Sequence, residues 1–547
     1  MSLIRLHRTI RPHSFTKVKC FSTVATQEDE EYTATPQYPP ILDLSYEKRM
    51  ERKREAKHEE LRKVKTVEEK QLKVNMPRYY GFKSYMLLEE QGQYNSLPLA
   101  QHVTRTHFIK EKDLPECYQG INVDDITGIS EDIQEALLME IEETQRIQDL
   151  KEDKLTDVER ENIISSSVVK SINRVLNNHL AHQYPHILDN KIDIEPRLES
   201  SWVVGGIEPD TLIKKRLQGH EFFKQFVNDP IDRTFCYLGS PTLTIRAEQP
   251  LPTIISPSDA ENPALEVPHF KYDPRVLGMG IDHRHAANIP GFWPGDSHTF
   301  GLISFLKTGY MLERKKLLPD EIDNEEAMHR QAILSSYAWL HSQANYLGFT
   351  TYNDLTYPLV TQTVLTNGKD FRFYIYQLNT IILHSKNTLE NPKRNVCWSN
   401  GNMKLYEEIN DGKIVGFNDD LVKTLVKLYK NEPKERLGIN LRPYLSQTEK
   451  LIADYEDDEK RKWLEKEYKY IVSNRPRFKE FDEIYSWEKI YKIDHKTRGM
   501  DKRRRFFELF QKPWRRTLDD RLPEYVPRCL RPELPKRLGR RVKEFWP

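Results

Sequence analysis

The sequence predicts a mixed α/β protein: a compact α/β body with long helical and extended basic terminal arms. Three observations carry that prediction. Apolar residues recur at helical steps between Met328 and Leu347, two strand-like runs flank Asn367-Gly368, and short β-branched or aromatic runs punctuate residues 201–248. The arms follow from composition. Of 547 residues, 38% are hydrophobic and 31% charged, which suits one sizeable core with solvated or partner-covered extensions better than several cores. A net charge of +1 conceals segregation along the chain. Residues 124–159 hold thirteen Asp/Glu against three Lys/Arg, whereas Lys496 to the end holds seventeen Lys/Arg against seven Asp/Glu. A chain end of that sign suits a polyanionic partner.

In chain order, the opening MSLIRLHRTIRPHSFTKVKCFSTVATQ carries Arg5, Arg8, Arg11, Lys17 and Lys19 and no acid before Glu28. Leu3, Ile4, Leu6 and Ile10 can share one side of a short helix with the arginines on the other, the amphipathic form that mitochondrial import reads. Residues 1–22 are therefore expected to be a targeting presequence, cut near Cys20 to Ser22. An N-terminal arm, 23–120, follows. Within it residues 47–73 hold eleven Lys/Arg and seven Asp/Glu among helix formers with few apolar positions, which predicts a solvated helix or one laid on a polar partner. Residues 121–200 form a helical region: an acidic stretch over 131–160, then 161–182, where Ile164, Val168, Ile172 and Val175 return to helical apolar spacing.

Residues 201–435 are expected to form the α/β core. SWVVGGI at 201–207, TFCYLG at 234–239 and TLTIRAE at 242–248 read as strands, and proline-rich crossings around Pro250, Pro263 and Pro268 follow. Asn324 opens a helix through Met328, Ala332, Ile333, Trp339, Leu340, Ala344 and Leu347, and Gly348 is placed to end it. Asn367-Gly368 between TQTVLT and FRFYIYQLNTIIL predicts a hairpin with a type I′ turn, which needs positive φ at both central residues. Asn418 is a good N-cap for a last helix, with Asp419 and Asp420 at the positive end of its dipole. Residues 436–547 are the C-terminal helical and basic extension. There Ser446 to Glu449 makes a capping box opening a charged helix to about Asn474, and the Pro- and Arg-rich tail reads as an extended arm.

Chemistry is sought first in IDHRHAANIPGFWPGDSH, residues 281–298, which gathers Asp282, His283, His285, Asp296 and His298. His283 and His285 would point the same way on a strand, yet Pro290, Gly291, Pro294 and Gly295 predict an irregular loop. A catalytic zinc also needs a third ligand and an oriented second shell, and no H-E-x-x-H spacing occurs. Leu277-Gly-Met-Gly-Ile281 lacks the further residues of a phosphate loop or a dinucleotide fingerprint, and no G-x-S-x-G elbow is present. The five cysteines never pair as C-x-x-C, and Cys397 reads as packing. No apolar run is long enough to span a bilayer. The residues thus predict no catalytic, cofactor-binding or metal-binding position. The candidates are instead RNA contacts in the tail: Lys502, Arg503, Arg504, Arg505, Trp514, Arg515, Arg516, Arg540 and Arg541, where guanidinium forks meet phosphate oxygens and aromatic faces stack on bases.

SSYAWLHSQANYLGF, YPLVTQTVLTNGKDFRFYIYQLNTIIL, NPKRNVCW and LYEEINDGKIVGFNDDLV resemble the mitochondrial ribosomal protein family also called programmed cell death protein 9. Matching positions include Ala338, Trp339, Gln343 and Gly348, then Gln362, Thr366, Gly368, Phe371 and Phe373, then Asn391, Pro392, Asn395, Cys397 and Trp398, and finally Gly416 to Asp420. The similarity covers roughly 38–435, begins weakly at Tyr38-Pro39-Pro40-Ile41, and is most specific over its last hundred residues. Beyond about 440 the chain departs from the shorter family pattern. The resemblance implies a noncatalytic component of the mitochondrial large ribosomal subunit, in a family formerly assigned to the small one. It implies a matrix location and no cofactor. Its implied partners are large-subunit rRNA, other mitochondrial ribosomal proteins and a related family member as heterodimer partner. Two other readings stay open: a mitochondrial metal-dependent hydrolase using the 282–298 loop, and a non-ribosomal RNA-binding adaptor linked to apoptosis.

Overall fold

Alternation along DFRFYIYQL sets the architecture. In the computed structural model, Phe371, Phe373 and Ile375 point into one apolar core while Tyr374, Tyr376 and Leu378 point into another, the period-two pattern of a strand buried on both faces. The structure describes residues 45–63 and 83–445, except 112, 124–125, 150–154, 220, 284–287, 293–295, 351–352 and 411. The chain divides into two units, residues 1–52 and 53–547. Of the first, only residues 45–52 are described, where helix α1 (Tyr46–Lys63) begins. That helix starts where the charged stretch predicts one; residues 64–73 of the expected helix, and the helix expected from Ser446, lie outside the described residues.

The second unit contains two mixed sheets. The strands are β1 (Lys83–Leu88), β2 (Thr106–Lys110), β3 (Lys191–Ile194), β4 (Leu198–Ile207), β5 (Ile231–Gly239), β6 (Leu243–Ala247) and β7 (Ile281–His283). They continue with β8 (Ile289–Pro290), β9 (Phe300–Lys307), β10 (Leu359–Thr366), β11 (Asp370–Leu378) and β12 (Asn395–Lys404). One sheet has five strands in the order β7-β1-β5-β4-β8; the other has seven, β2-β12-β11-β10-β9-β6-β3. The main helices are α2 (Leu97–Thr104), α3 (Thr127–Asp149), α4 (Asp157–Leu180), α5 (Thr211–Gln218), α6 (Met311–Leu317), α7 (Glu321–Tyr346) and α8 (Asp419–Lys430).

Helix α7 lies between the sheets. Its Ile333, Tyr337, Leu340 and Ala344 share a core with Tyr85, Trp202 and Phe235 of the five-stranded sheet and with Leu359, Tyr374 and Tyr376 of the seven-stranded one. The expected amphipathic stripe is too narrow an account: from Ala327 to Tyr346 all but Met328 are buried, polar residues included. Those polar side chains bond outward to strands. His329 Nδ1 meets Tyr374 Oη at 2.9 Å, Ser336 Oγ meets Thr363 Oγ1 at 2.7 Å, and His341 Nδ1 meets Ser200 Oγ at 2.9 Å. The helix also starts before the predicted Asn324. Asp320 is its N-cap, accepting from the N–H of Ile322 at 3.0 Å, and Asn324 is buried in the first turn, donating to the carbonyls of Leu318 and Asp320. Its end is as predicted. Gly348 has φ +101°, and the N–H groups of Gly348 and Phe349 bond to the carbonyls of Asn345 and Ala344, a Schellman closure.

Helices α3, α4 and α8 cover the other face of the seven-stranded sheet, where Val168, Ile172, Leu421 and Leu425 pack with Phe371, Phe373 and Ile375. Asn418 caps α8 as predicted, accepting from the N–H groups of Asp420 and Leu421 at 3.0 and 3.3 Å. The acidic stretch 131–160 is divided between two helices. A capping box opens α4: Glu159 N–H donates to Thr156 Oγ1 at 3.3 Å, and Thr156 N–H donates to the Glu159 carboxylate at 2.8 Å. The hairpin at 367 also differs. Only Gly368 takes positive φ, at +96°, and Asn367 Oδ1 accepts from the N–H groups of Lys369 and Asp370 at 3.0 and 2.8 Å. A side-chain turn over three residues replaces type I′, because the Asn367 amide already satisfies both donors. No helix among the described residues is long and apolar enough to cross a membrane.

Burial holds three histidines of this body neutral. His341 is depressed to about 3 by burial, and His102 and His329 to about 4 by burial first and neighbouring positive groups second. Each binds a proton in the unfolded chain below about pH 6.5 that the folded chain refuses. Stability is therefore complete above that pH and is lost as pH falls toward the folded values. Urea unfolding of the chain is expected to show a loss of about 2 kcal/mol per histidine between pH 7 and pH 5, and His341→Gln should flatten the dependence. A midpoint that does not move over that range would contradict the neutral-histidine core.

Candidate functional site

The 281–298 stretch does not assemble a cluster. Its first residues form β7, antiparallel to β1 with Asp282 opposite Ser84 and His283 opposite Lys83, while Ile289 and Pro290 form β8 against β4. These strands are opposite edges of the five-stranded sheet, four strand steps or roughly 19 Å apart. The predicted irregular loop is thus corrected at 281–283 and at 289–290, where edge pairing satisfies the backbone and an edge tolerates Pro290. His285, Pro294 and Gly295 lie outside the described residues.

Asp296 and His298 gather around Arg246 instead. Arg246 sits on β6 and is 2% exposed. Its guanidinium donates to the Asp193 carboxylate at 2.5 and 3.1 Å, to Asp296 at 3.1 Å and to the His298 carbonyl, and it lies 4.6 Å from the centre of the Phe292 ring. Burial alone would raise the Asp296 carboxyl. The His298 N–H at 3.1 Å and the Arg246 charge outweigh it and hold the group below the usual carboxylate range. It is a fixed anion, unsuited to proton transfer near neutrality. Both nitrogens of His298 are occupied, Nε2 by the Asp189 carbonyl at 2.7 Å and Nδ1 by Ser297 Oγ at 2.8 Å. The arrangement pins the loop to the seven-stranded sheet, a structural use of the residues that first suggest chemistry. Among the described residues no group of three or more His, Cys, Asp and Glu side chains is placed to hold a metal ion.

A second charged network was not legible in the sequence, because its bonded partners are up to 188 residues apart. Arg233 Nη2 bonds Asp273 at 2.9 Å, Arg275 Nε bonds Asp273 at 2.9 Å, and Tyr85 Oη donates to Asp273 at 2.5 Å. Burial raises the Asp273 carboxyl, but these donors more than offset it and bring it down to about 2. Asp210 joins the network through Arg275 and caps α5, accepting from the Ile213 N–H at 2.8 Å. Here too the charges tie strands and turns together. Cys397 is fully buried on β12, and burial pushes its thiol far above the ordinary value, which removes the thiolate a nucleophile needs. The tail candidates Lys502, Arg503, Arg504, Arg505, Trp514, Arg515, Arg516, Arg540 and Arg541 lie outside the described residues.

Comparison with known proteins supplies what this geometry lacks. The family described as Mitochondrial 28S ribosomal protein S30 (PDCD9) matches residues 4–433. The chain is 27% identical over 172 residues to "Large ribosomal subunit protein mL37" of Rattus norvegicus, and 28% identical over 171 residues to the Mus musculus protein of that name. Each match covers 31% of this chain and 38% of the relative's own length.

The Arg246 junction is itself testable. Arg246→Met keeps the stem and removes the charge, leaving two partly buried carboxylates and a buried carbonyl without their shared donor. A destabilisation of about 3 to 5 kcal/mol is expected, read from urea unfolding. A loss under about 1 kcal/mol would show that the junction is a solvated surface pair.

Proposed function

From the premise that the chain belongs to the Mitochondrial 28S ribosomal protein S30 (PDCD9) family, we propose that it is a structural constituent of the mitochondrial large ribosomal subunit and supports mitochondrial translation through contacts with rRNA and neighbouring ribosomal proteins. A family match from residue 4 to residue 433 carries this reading. The family description speaks of the 28S particle and the rat and mouse relatives of the large subunit; the relatives' names support the large one. As a ribosomal protein the chain is not an enzyme. The acid-free, arginine-bearing N-terminus fits import into the mitochondrion, with the matrix as destination.

Within this reading the described body docks on proteins, among them a related family member as heterodimer partner. The basic end contacts RNA through Lys502 to Arg505, Arg515, Arg516, Arg540 and Arg541, with Trp514 offering a stacking face.

Sedimentation of salt-washed organelle extracts tests the assignment: the chain should travel with the large subunit through high salt. Release by salt would favour a loosely bound RNA adaptor, and recovery in the soluble fraction with bound metal would favour a hydrolase. The arm is tested separately by RNA binding of the full chain across a salt series. Five phosphate contacts give a log-log slope of about −4, and replacing the eight cationic tail candidates by neutral residues should flatten it. An unchanged slope would place the contacts elsewhere.

A further inference from the structure

Strand β3 is the last strand of the seven-stranded sheet. It pairs with β6, Ile192 opposite Ile245 and Ile194 opposite Leu243. The Glu195 N–H donates to the Thr242 carbonyl at 3.1 Å, and a trans peptide sets the Ile194 carbonyl on the opposite side from that N–H. The Ile194 carbonyl therefore faces away from β6, and the alternation of an antiparallel ladder sends the N–H and C=O of Ile192 the same way. Edge strands are ordinarily blunted by charge, proline or cover. One face of this edge is apolar instead: Ile192 and Ile194 are 42% and 60% exposed, and Leu188 just before them is 77% exposed. Ile245 and Leu243 belong to the core beneath α3, α4 and α8, so the two isoleucines continue that apolar layer past its final strand. On the opposite face Asp193 is held by Arg246 at 2.5 Å, and Lys191 stands 3.7 Å from Asp296.

We propose that β3 is a docking edge for an extended strand of a neighbouring polypeptide, one with apolar and polar residues in alternation; the proposal rests on the ribosomal reading above. Outward N–H and C=O groups at alternate residues are matched by another extended backbone, and the exposed isoleucines select its side chains. Charge argues against RNA here, because Lys191 stands 3.7 Å from Asp296, Asp193 is paired with the buried Arg246, and Asp189 just before the strand is exposed. A second copy fits less well. The antiparallel register that uses Ile192 and Ile194 of both copies sets Asp193 opposite Asp193, a like-charge pair.

The test places benzoylphenylalanine at 192 or at 194 of the full chain, in separate variants, and illuminates salt-washed particles. Both probes should form adducts with one polypeptide other than this chain, at positions two residues apart in its sequence. Adding Ile192→Lys to the 194 probe should lower the adduct about tenfold while the urea midpoint of the purified chain stays in place. Adducts to RNA, to a second copy or to scattered polypeptides, or no adduct in particles that contain the chain, would overturn the docking edge alone. Absence of the chain from the particles would instead overturn the ribosomal reading and this proposal with it.

Discussion

From His329 to Tyr346 helix α7 is buried on every side, and the body of the protein is the arrangement that allows it. At 26 residues it is about 39 Å long, far more than one sheet face can cover around its circumference. Two sheets enclose it, and its polar residues become links between layers. The closeness of that packing is visible at Gly301 on β9, where a Cβ would stand 2.5 Å from the Trp339 ring and 2.6 Å from Gln343 Nε2. The same Gln343 accepts the Gly301 N–H at 2.9 Å. No larger residue lets the strand approach and the bond form together.

Strongly shifted ionisable groups usually draw attention to an active site. In this fold they trace burial. His341 is depressed by burial alone, and Tyr337 is raised by burial first, then by Tyr376 and Asp354. The charged groups that do meet belong to networks closed by their own members, as around Arg246 and Asp273. Shifts of this kind are what burial of polar groups in a packed core produces.

Much of this was legible in the sequence where the signal was local. The strands at 201–207, 234–239 and 242–248, the end of α7 at Gly348 and the cap at Asn418 follow from neighbouring residues and came out as read. Other features depended on distant chain. Strand β9, FGLISFLK, lies near the middle of the seven-stranded sheet, parallel to β10 and antiparallel to β6. Apolar on both faces, it carries no alternation by which to separate it from a short buried helix. Strands β1 and β2 and helix α2 were equally silent. The His/Asp stretch misled for the opposite reason. Closeness in sequence placed five ligand-type residues together, but Asp282 and His283 lie on one edge of the five-stranded sheet while Asp296 and His298 are tied to Arg246 of the seven-stranded one.

A protein makes its outside contacts where its hydrogen-bonding groups and charges are left outward. The exposed residues of α3 include Glu131, Asp132, Glu135 and Glu142, so the side of the body that α3 presents is anionic and repels a phosphate backbone within about one Debye length, roughly 8 Å. Under the proposed reading polyanion binding then falls to cations elsewhere in the sequence, where an excess of ten positive charges lies from Lys496 onward. Protein contact has the reverse requirement. It favours a fixed backbone edge and apolar side chains that lose little freedom on docking. Under the proposed reading the two kinds of partner are therefore sorted by physics: RNA to the basic end of the chain, and polypeptide to the sheet edges of the body.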